Sequence, residues 1–160
     1  MKSDWIAWPN VLLRIVVGGV FLAAGGLKVG HPAALAVTFA AFDLLPQPLV
    51  APLAILLPPL EIGLGLYLIA GLLTRFATGF ALLQLLIYAG AIASVVLRGI
   101  QVSCGCFGQV DTAPASWLDV GRDLLLAALS LPLLFAGPGR FAIDTILQRP
   151  KGPPPREGSP

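Results

Sequence analysis

Residues 49–97 read LVAPLAILLPPLEIGLGLYLIAGLLTRFATGFALLQLLIYAGAIASVVL, and this stretch decides the fold. It contains two apolar runs, Leu49–Leu73 and Phe76–Leu97, in which Glu61 is the sole charged residue. Each run is long enough for a transmembrane helix, which needs about 20 apolar residues. The connection Gly71–Arg75 has room only for a tight turn, so the two helices are predicted to be antiparallel neighbours.

Two further apolar runs flank this pair. They are Val11–Val29, which includes Arg14 and Lys28, and Trp117–Phe135, which carries Asp119, Arg122 and Asp123 near its start. We therefore predict an all-α, polytopic membrane protein. Its four-transmembrane-helix bundle would have helices over about 11–29, 49–71, 75–97 and 117–136. Residues 32–45 are predicted to form a short outer helix at the membrane interface, because their aromatic and leucine side chains suit that layer.

Composition supports a membrane location for the whole chain. Of its 160 residues 57% are hydrophobic and only 11% are charged, against about 25% charged in average soluble domains. This excludes an ordinary soluble enzyme, and a net charge of +2 gives no support for a nucleic-acid partner. Residues 1–147 are predicted to form one membrane domain. The polar, proline-rich residues 148–160 are predicted to be a disordered cytoplasmic tail.

Lysine and arginine predict the orientation of the bundle. With the N-terminus inside, the outer side holds only Lys28 and Arg98, both at helix ends. The inner side then holds Lys2, Arg75, Arg140, Arg149, Lys151 and Arg156. Because cytoplasmic loops carry an excess of these residues, we predict a multi-pass protein of a bacterial inner membrane. Both termini would be cytoplasmic, and the connection between the third and fourth spans would be periplasmic.

That connection holds the two cysteines of the chain, Cys104 and Cys106, separated by Gly105. A disulfide between residues so close requires a sharp backbone bend, which a glycine permits. The resulting ring is small and strained, and strained, exposed disulfides are labile or catalytic rather than structural. We therefore predict that the loop is exposed and that the pair forms a redox-active disulfide.

Two other interpretations of the cysteine pair stay open. The thiols can be incidental small apolar residues, as many free cysteines are. They can also bind a soft metal ion. His31 is the only histidine and Met1 the only methionine, so a closed four-ligand site would lack ligands and we expect no bound metal.

The charges within the apolar runs form a second candidate site. Arg14, Gly18, Phe21, Gly25 and Lys28 share one face of the first helix, and we expect this face to point into the bundle. The rise along a helix places Glu61 and Arg122 within several ångströms of the same depth in the membrane. Arg14 lies on the other side of Glu61, at a similar difference in depth. We predict a buried charge network in which Glu61 pairs with Arg122 or Arg14.

This network has two interpretations. Buried ion pairs can simply hold a bundle in one arrangement. Alternatively, Lys28, Glu61 and Arg122 form a polar pocket beneath the cysteine loop, with Trp117 and Phe107 as aromatic walls. Such a pocket would accept a quinone headgroup or relay protons, because a charge inside a membrane marks a functional site by default.

The order of these features resembles a known family. The matching residues are Arg14, Gly25-Gly26-Leu27-Lys28, Leu60-Glu61 with Gly65, Cys104-Gly105-Cys106-Phe107-Gly108 and Arg122-Asp123-Leu124. They are similar to the MauE/DoxX group of redox-associated membrane proteins, and to the MauE branch most. The resemblance covers about residues 10–135, and its most specific part is the Cys-Gly-Cys-Phe-Gly run.

The resemblance implies a four-helix membrane bundle that takes part in the redox chemistry of thiols. MauE-type proteins are implicated in maturing methylamine dehydrogenase alongside a thioredoxin-like partner, and DoxX relatives are linked to sulfur oxidation with quinone as acceptor. The plan is also similar to DsbB and vitamin K epoxide reductase, although this chain has one cysteine pair instead of two. A relay through two disulfides is therefore impossible within this chain.

The leading hypothesis is a membrane thiol–disulfide oxidoreductase with Cys104 and Cys106 as catalytic residues. It would exchange electrons between a periplasmic thioredoxin-like or sulfur partner and quinone in the membrane lipid. Two alternatives remain. One is a non-enzymatic assembly or maturation factor for a periplasmic enzyme, and the other is a thiol-based metal-binding membrane protein.

Overall fold

The computed structural model describes residues 4–108 and 113–136, and helices dominate these ranges. In chain order they are α1 (Asp4–Lys28), α2 (Pro32–Phe42), α3 (Gln47–Ala70), α4 (Thr74–Leu97) and α5 (Trp117–Ala136). Within the described residues the sole β-type pairing is an isolated bridge between Ser103 and Pro114. The all-α prediction is confirmed. The predicted tail, 148–160, lies outside the described residues.

Three of the described helices are long and apolar enough to cross a membrane. They are α3, α4 and the Pro9–Lys28 part of α1. Helix α5 has 20 residues but carries three charged side chains in its first two turns. A span count of three is thus supported, and the fourth span stays a prediction.

Helices α1 and α3 pack with their backbones in contact. A Cβ added to Gly18 would lie 2.9 Å from the Gly65 carbonyl oxygen, and one added to Gly65 would lie 2.7 Å from that of Gly18. The predicted inward face of α1 is confirmed, because every member is buried: Arg14, Gly18, Phe21, Gly25 and Lys28. Small residues permit this close approach, which increases the dispersion attraction between the two helices.

Replacing Gly65 by Ala is expected to lower the free energy of unfolding by about 1–3 kcal/mol. The new methyl group would meet a backbone oxygen, which cannot rotate away as a side chain can. Gly63→Ala is the matched control, because no atom of the described residues lies within 4 Å of the added Cβ. Thermal unfolding in detergent measures both variants, and equal midpoints would contradict the close-packing argument.

Helix α2 covers one end of the bundle. Its Leu35 and Phe42 are buried, and a Cβ on Gly105 would lie 3.0 Å from Thr38 Cγ2. Arg98, which directly follows α4, links the start of the cysteine loop to α2, because its Nη2 donates a hydrogen bond to the Phe42 carbonyl oxygen. The short helix is confirmed as an element, and it lies directly over the cysteine loop.

The prediction of an exposed loop is wrong at the two cysteines, although Gln101 of the same loop is exposed. Cys104 is 7% exposed and Cys106 is 8% exposed. The reason is tertiary: α2 folds back over the loop, and the side chains of Phe42, Ile92 and Val95 pack in the same apolar cluster as the two sulfurs. Access to the thiols therefore depends on the position of α2.

Candidate functional site

The connection between α4 and α5 places the two thiols side by side. Gly105 adopts a φ of +68°, which turns the chain sharply between them. The Cys106 amide N–H donates to Cys104 Sγ at 3.3 Å, and the Cys106 thiol donates to the Cys104 carbonyl oxygen at 3.8 Å. Both cysteines are free thiols in this structure. The predicted bend at Gly105 is present, whereas the disulfide stays a prediction.

Arg122 reaches this loop from α5. Its Cζ lies 5.0 Å from the centroid of the Phe107 ring, a cation–π distance. Its guanidinium also forms ion pairs with Asp119 at 3.4 Å and with Asp123 at 3.3 Å. Arg122 and Phe107, both predicted as site residues, are therefore next to the cysteines and fixed by their neighbours.

The surroundings separate the two cysteines chemically. Hydrogen bonds from Cys106 and from the Arg122 side chain lower the pKa of the Cys104 thiol, and burial opposes them. The hydrogen bond to Cys104 and burial both raise the pKa of the Cys106 thiol. Since the thiolate is the nucleophile, this difference favours Cys104 over Cys106 as the nucleophilic sulfur.

Replacing Arg122 by Gln is expected to raise the pKa of Cys104. A cation stabilises the thiolate, so losing it leaves less thiolate at any given pH, and alkylation should slow at neutral pH. The measurement is the pH dependence of modification by a small neutral alkylating reagent, whose midpoint should move to higher pH. Arg75→Gln removes an exposed cation at the opposite end of α4 and serves as the control. An unchanged midpoint in Arg122→Gln would exclude this role.

Glu61 lies at the centre of a second buried cluster. Lys28 Nζ contacts its two carboxylate oxygens at 2.7 and 2.9 Å. The Tyr88 hydroxyl donates to Oε1 at 2.5 Å, and Gln84 Nε2 donates to the same oxygen at 3.1 Å. Lys28 Nζ also lies 5.2 Å from the centroid of the Tyr88 ring. Lys28 and Glu61 are 2% and 1% exposed, so the pair is shielded from solvent.

The predicted pairing of Glu61 with Arg122 or Arg14 is therefore wrong. The correct partner is Lys28, because Gly25 brings α1 against α3: a Cβ on Gly25 would lie 3.0 Å from Glu61 Cβ. A lysine one turn further on leans back toward the N-terminus of its helix, over that contact.

Arg14 has a different role at the opposite end of α1. Its Nε donates to the Leu68 carbonyl oxygen at 2.9 Å, and its Nη2 donates to that of Ile69 at 2.8 Å. These carbonyls belong to the last turn of α3, where helical partners run out and a cation is favoured. Arg14 thus stabilises a helix end and is not part of a network with Glu61 and Arg122.

A cavity of about 200 Å³ lies between α2, α3, α4 and the cysteine loop. Lys28, Tyr88 and both cysteines line part of it. The rest of the wall is apolar: Phe39, Phe42, Leu44, Leu45, Leu53, Leu57, Ile87, Ala91, Ile92 and Gly105. We call it the large cavity.

A second cavity, of about 30 Å³, lies between α1, α3, α4 and α5. Its polar lining comes from Glu61, Tyr88, Cys106, Arg122 and Asp123. We call it the small cavity. Since Tyr88 and Cys106 line both cavities, these two residues form the wall between them.

The structure thus brings together most of the predicted site residues. Lys28, Glu61, Arg122, Phe107 and the cysteines surround the two cavities. Trp117 does not join them: it is 57% exposed and lines neither cavity. In residues 4–108 and 113–136 there is no group of three or more His, Cys, Asp or Glu side chains that could hold a metal ion.

Sequence reasoning missed Gln84, Tyr88 and Asp123. Gln84 and Tyr88 are polar residues four apart in a run without charges, and this spacing puts them on one helix face. That signal was available. Asp123 was visible only as a neighbour of Arg122, and no pattern in the sequence points to its burial.

Comparisons with known proteins identify relatives. The family described as "Methylamine utilisation protein MauE" matches residues 5–136. "Methylamine utilization protein MauE" of Paracoccus denitrificans is 36% identical over 134 residues, which cover 82% of this chain and 72% of the relative. The protein of the same name from Methylorubrum extorquens is 38% identical over 110 residues, which cover 64% of this chain and 59% of the relative. No solved structure matches the chain at a significant level.

Proposed function

The chain is a membrane protein of the MauE family, and on that basis we propose that it is a thiol–disulfide oxidoreductase linked to membrane quinone. The observation that carries the proposal is the position of Cys104 and Cys106. Both line the large cavity, and they belong to the connection at the α2 end of the bundle. The side of the cysteine pair that lines the large cavity is thus available to a small apolar ligand, and the opposite side lies beneath the short helix α2.

The proposed reaction has two balanced halves. In one, the Cys104–Cys106 dithiol gives two electrons and two protons to a quinone, which becomes a hydroquinone while the sulfur–sulfur bond forms. In the other, the disulfide exchanges with a partner dithiol through a mixed disulfide on Cys104. The partner dithiol becomes a disulfide. Either half can run in reverse, and the pair is regenerated in both directions.

The large cavity suits the ring of a quinone. Ligand sites for larger molecules measure roughly 300–1,000 Å³, so about 200 Å³ fits a ring without its tail. Ile87 and Leu44 belong to the lining and are 59% and 46% exposed, which places apolar side chains at its mouth. A tail would leave there into lipid, while Lys28 and Tyr88 offer donors to the ring oxygens.

The relatives point to the physiological context. They are named methylamine utilization proteins, and we propose that this chain serves the maturation of a periplasmic enzyme of that process. Its partner would be a periplasmic thioredoxin-like protein, and its location would be a bacterial inner membrane. Quinone and the redox-active disulfide are the proposed cofactors, and neither half-reaction requires a metal.

A non-enzymatic assembly factor is the second candidate, and one observation favours it. The two thiols are buried beneath α2, so a partner's sulfur meets them only if α2 moves. A chain that binds a partner through the outer face of α2 would leave its cysteines unreacted.

One experiment separates the two candidates. Purified, reduced protein is mixed with a short-chain ubiquinone analogue, and hydroquinone is measured by absorbance together with free thiols after acid quenching. The oxidoreductase should form one hydroquinone for each pair of thiols lost. The double variant Cys104→Ser/Cys106→Ser should form none. Loss of no thiols from the wild type, with quinone unchanged, would favour the assembly factor.

The proposed orientation gives a further prediction. In a background without the native cysteines, Gln101→Cys should react with a membrane-impermeant thiol reagent in cells whose outer membrane has been opened. Gln101 is exposed in the cysteine loop, and the loop is expected to be periplasmic. Leu73→Cys, at the opposite end of α4 and exposed as well, should react only after the inner membrane is opened. The reverse pattern would contradict the orientation.

A further inference from the structure

Asp123 carries a buried carboxylate oxygen that lacks a partner. Its Oδ1 accepts hydrogen bonds from Arg122 Nε and Nη2, both at 3.3 Å. Its Oδ2 has no hydrogen-bond partner in the described part of the chain, and the residue is 3% exposed. Buried polar atoms nearly always have a partner, and an exception calls for a functional explanation.

The small cavity provides that explanation. Its volume of about 30 Å³ is enough for one water molecule, which needs at least about 10–15 Å³. A buried water needs two to four polar partners, and Asp123, Glu61, Tyr88 and Cys106 all line this cavity. The small cavity thus offers polar groups among apolar walls, lies between four helices and the cysteine loop, and has room for one water.

Cys106 is the group in this cavity that must lose a proton before the disulfide can form. Its thiol is a hydrogen-bond donor, and its surroundings keep it protonated. A sulfur–sulfur bond forms by attack of a thiolate, so Cys106 cannot close the bond until a base accepts its proton. Arg122, the cation of the cluster, has no acceptor capacity.

We infer that Asp123 accepts the Cys106 proton through one water in the small cavity whenever the Cys104–Cys106 bond forms. This inference rests on the proposed function. The proton of the Cys106 thiol passes to the water while the water passes one to Asp123 Oδ2. The Cys106 sulfur then attacks Cys104 Sγ, which is already bonded to the partner sulfur or to the quinone ring. The bond to that group breaks as the Cys104–Cys106 bond forms, and the electron pair leaves on the partner sulfur or on the quinone. When the bond is broken by the reverse reaction, the proton returns.

The wall between the cavities gives the proton an exit. Tyr88 lines both cavities and donates to Glu61 at 2.5 Å. Glu61 and Tyr88 share the small cavity with Asp123, and Tyr88 also faces the large cavity, so these two groups would carry the proton toward a quinone oxygen. The charged and titratable groups that surround Asp123 are Lys28 on α1, Glu61 on α3, Tyr88 on α4, Asp119 and Arg122 on α5, and Cys104 and Cys106 in the loop.

The test is the rate at which Asp123→Asn closes the disulfide. Full-length protein is reduced, and closure is followed by acid quenching and thiol counting between pH 5.5 and 8.5. The oxidant is either a short-chain ubiquinone analogue or a small soluble disulfide. We expect roughly a 10²-fold slower closure at neutral pH with both oxidants, as for the loss of a general base. The remaining rate should rise with pH more steeply than that of the wild type.

The sign of the effect separates proton transfer from simple electrostatics. A nearby carboxylate disfavours the Cys106 thiolate, so removing the charge alone would speed closure. Asp43→Asn is the control, since it removes an exposed carboxylate that lines neither cavity. Its rate should stay within about twofold of the wild type, because a role in proton transfer is what distinguishes Asp123.

A second variant keeps the carboxylate and fills the cavity. Ala24 lines the small cavity, and Ala24→Val adds two carbon atoms there without a change in charge. The variant should slow closure and steepen its pH dependence as Asp123→Asn does. This keeps the test decisive if Asp123→Asn fails to fold.

The outcomes distinguish this inference from the proposed function. If quinone oxidises the wild type and Asp123→Asn at the same rate and with the same pH profile, the proton acceptor is not Asp123 and the oxidoreductase stands. If the small disulfide shows the slow closure but quinone oxidises neither protein, the proton transfer stands and the quinone link fails. Faster closure in Asp123→Asn would overturn the inference directly.

Discussion

Cys104→Ser and Cys106→Ser are each expected to abolish quinone-linked thiol oxidation. Each variant removes a sulfur without which no intramolecular bond forms, while serine keeps nearly the same volume in the loop. The two should differ in what they trap. With Cys104 as the proposed attacking sulfur, Cys106→Ser should accumulate a mixed disulfide with the proposed thioredoxin-like partner, and Cys104→Ser should not.

Non-reducing electrophoresis after acid trapping measures this difference. Ser103→Ala, a substitution in the same loop that leaves both thiols, should behave as the wild type. Trapping by Cys104→Ser instead of Cys106→Ser would reverse the assignment of the two sulfurs. Full activity in either serine variant would exclude a role for the disulfide altogether.

Breaking the Lys28–Glu61 pair should have the largest effect on stability. Glu61→Gln leaves a lysine that is 2% exposed without its counterion. The expected loss is about 3–5 kcal/mol in the free energy of unfolding, because an unpaired buried charge retains its desolvation cost. Lys28→Met should cost a similar amount, since it leaves the carboxylate with only Tyr88 and Gln84 as donors.

The double variant Lys28→Met/Glu61→Gln is the decisive comparison. It removes both charges, and replacing a buried ion pair by neutral groups is often nearly neutral for stability. We expect the double variant to recover most of the lost free energy of unfolding, which is measured by reversible unfolding in mixed micelles. If the double variant is as unstable as the sum of the single ones, the two residues do not interact. If it is stable but cannot reduce quinone, the pair serves the site rather than the fold.

The sequence predicts the local features of this fold well. Apolar runs and a turn at Gly71–Arg75 are local signals, and the helices appear where those signals place them. The inward face of α1 is also local, because Arg14, Gly18 and Lys28 follow from helical spacing alone. Cys104 and Cys106 stand out because nothing else in the chain contains a thiol.

The errors arise where two elements meet. Counting helix rise gave depths along each axis but not the offset between helices, which the Gly18–Gly65 and Gly25 contacts determine. Hence the sequence places Lys28 in one polar pocket with Glu61 and Arg122 but does not predict that Lys28 is the direct ion-pair partner of Glu61. The burial of the thiols has a similar origin, since α2 is uniformly apolar and its pattern does not state which surface it covers.

The cover formed by α2 has a consequence for the chemistry of Cys104. A low-pKa thiolate in an oxidising compartment is the form of cysteine most readily converted to sulfenic and then to irreversible sulfinic acid. At 7% exposure, small oxidants rarely meet this sulfur, and only a molecule that displaces α2 or enters from lipid reaches it. The helix thus acts as insulation. It limits the oxidation of the two thiols by peroxide and so prolongs the lifetime of a reactive sulfur.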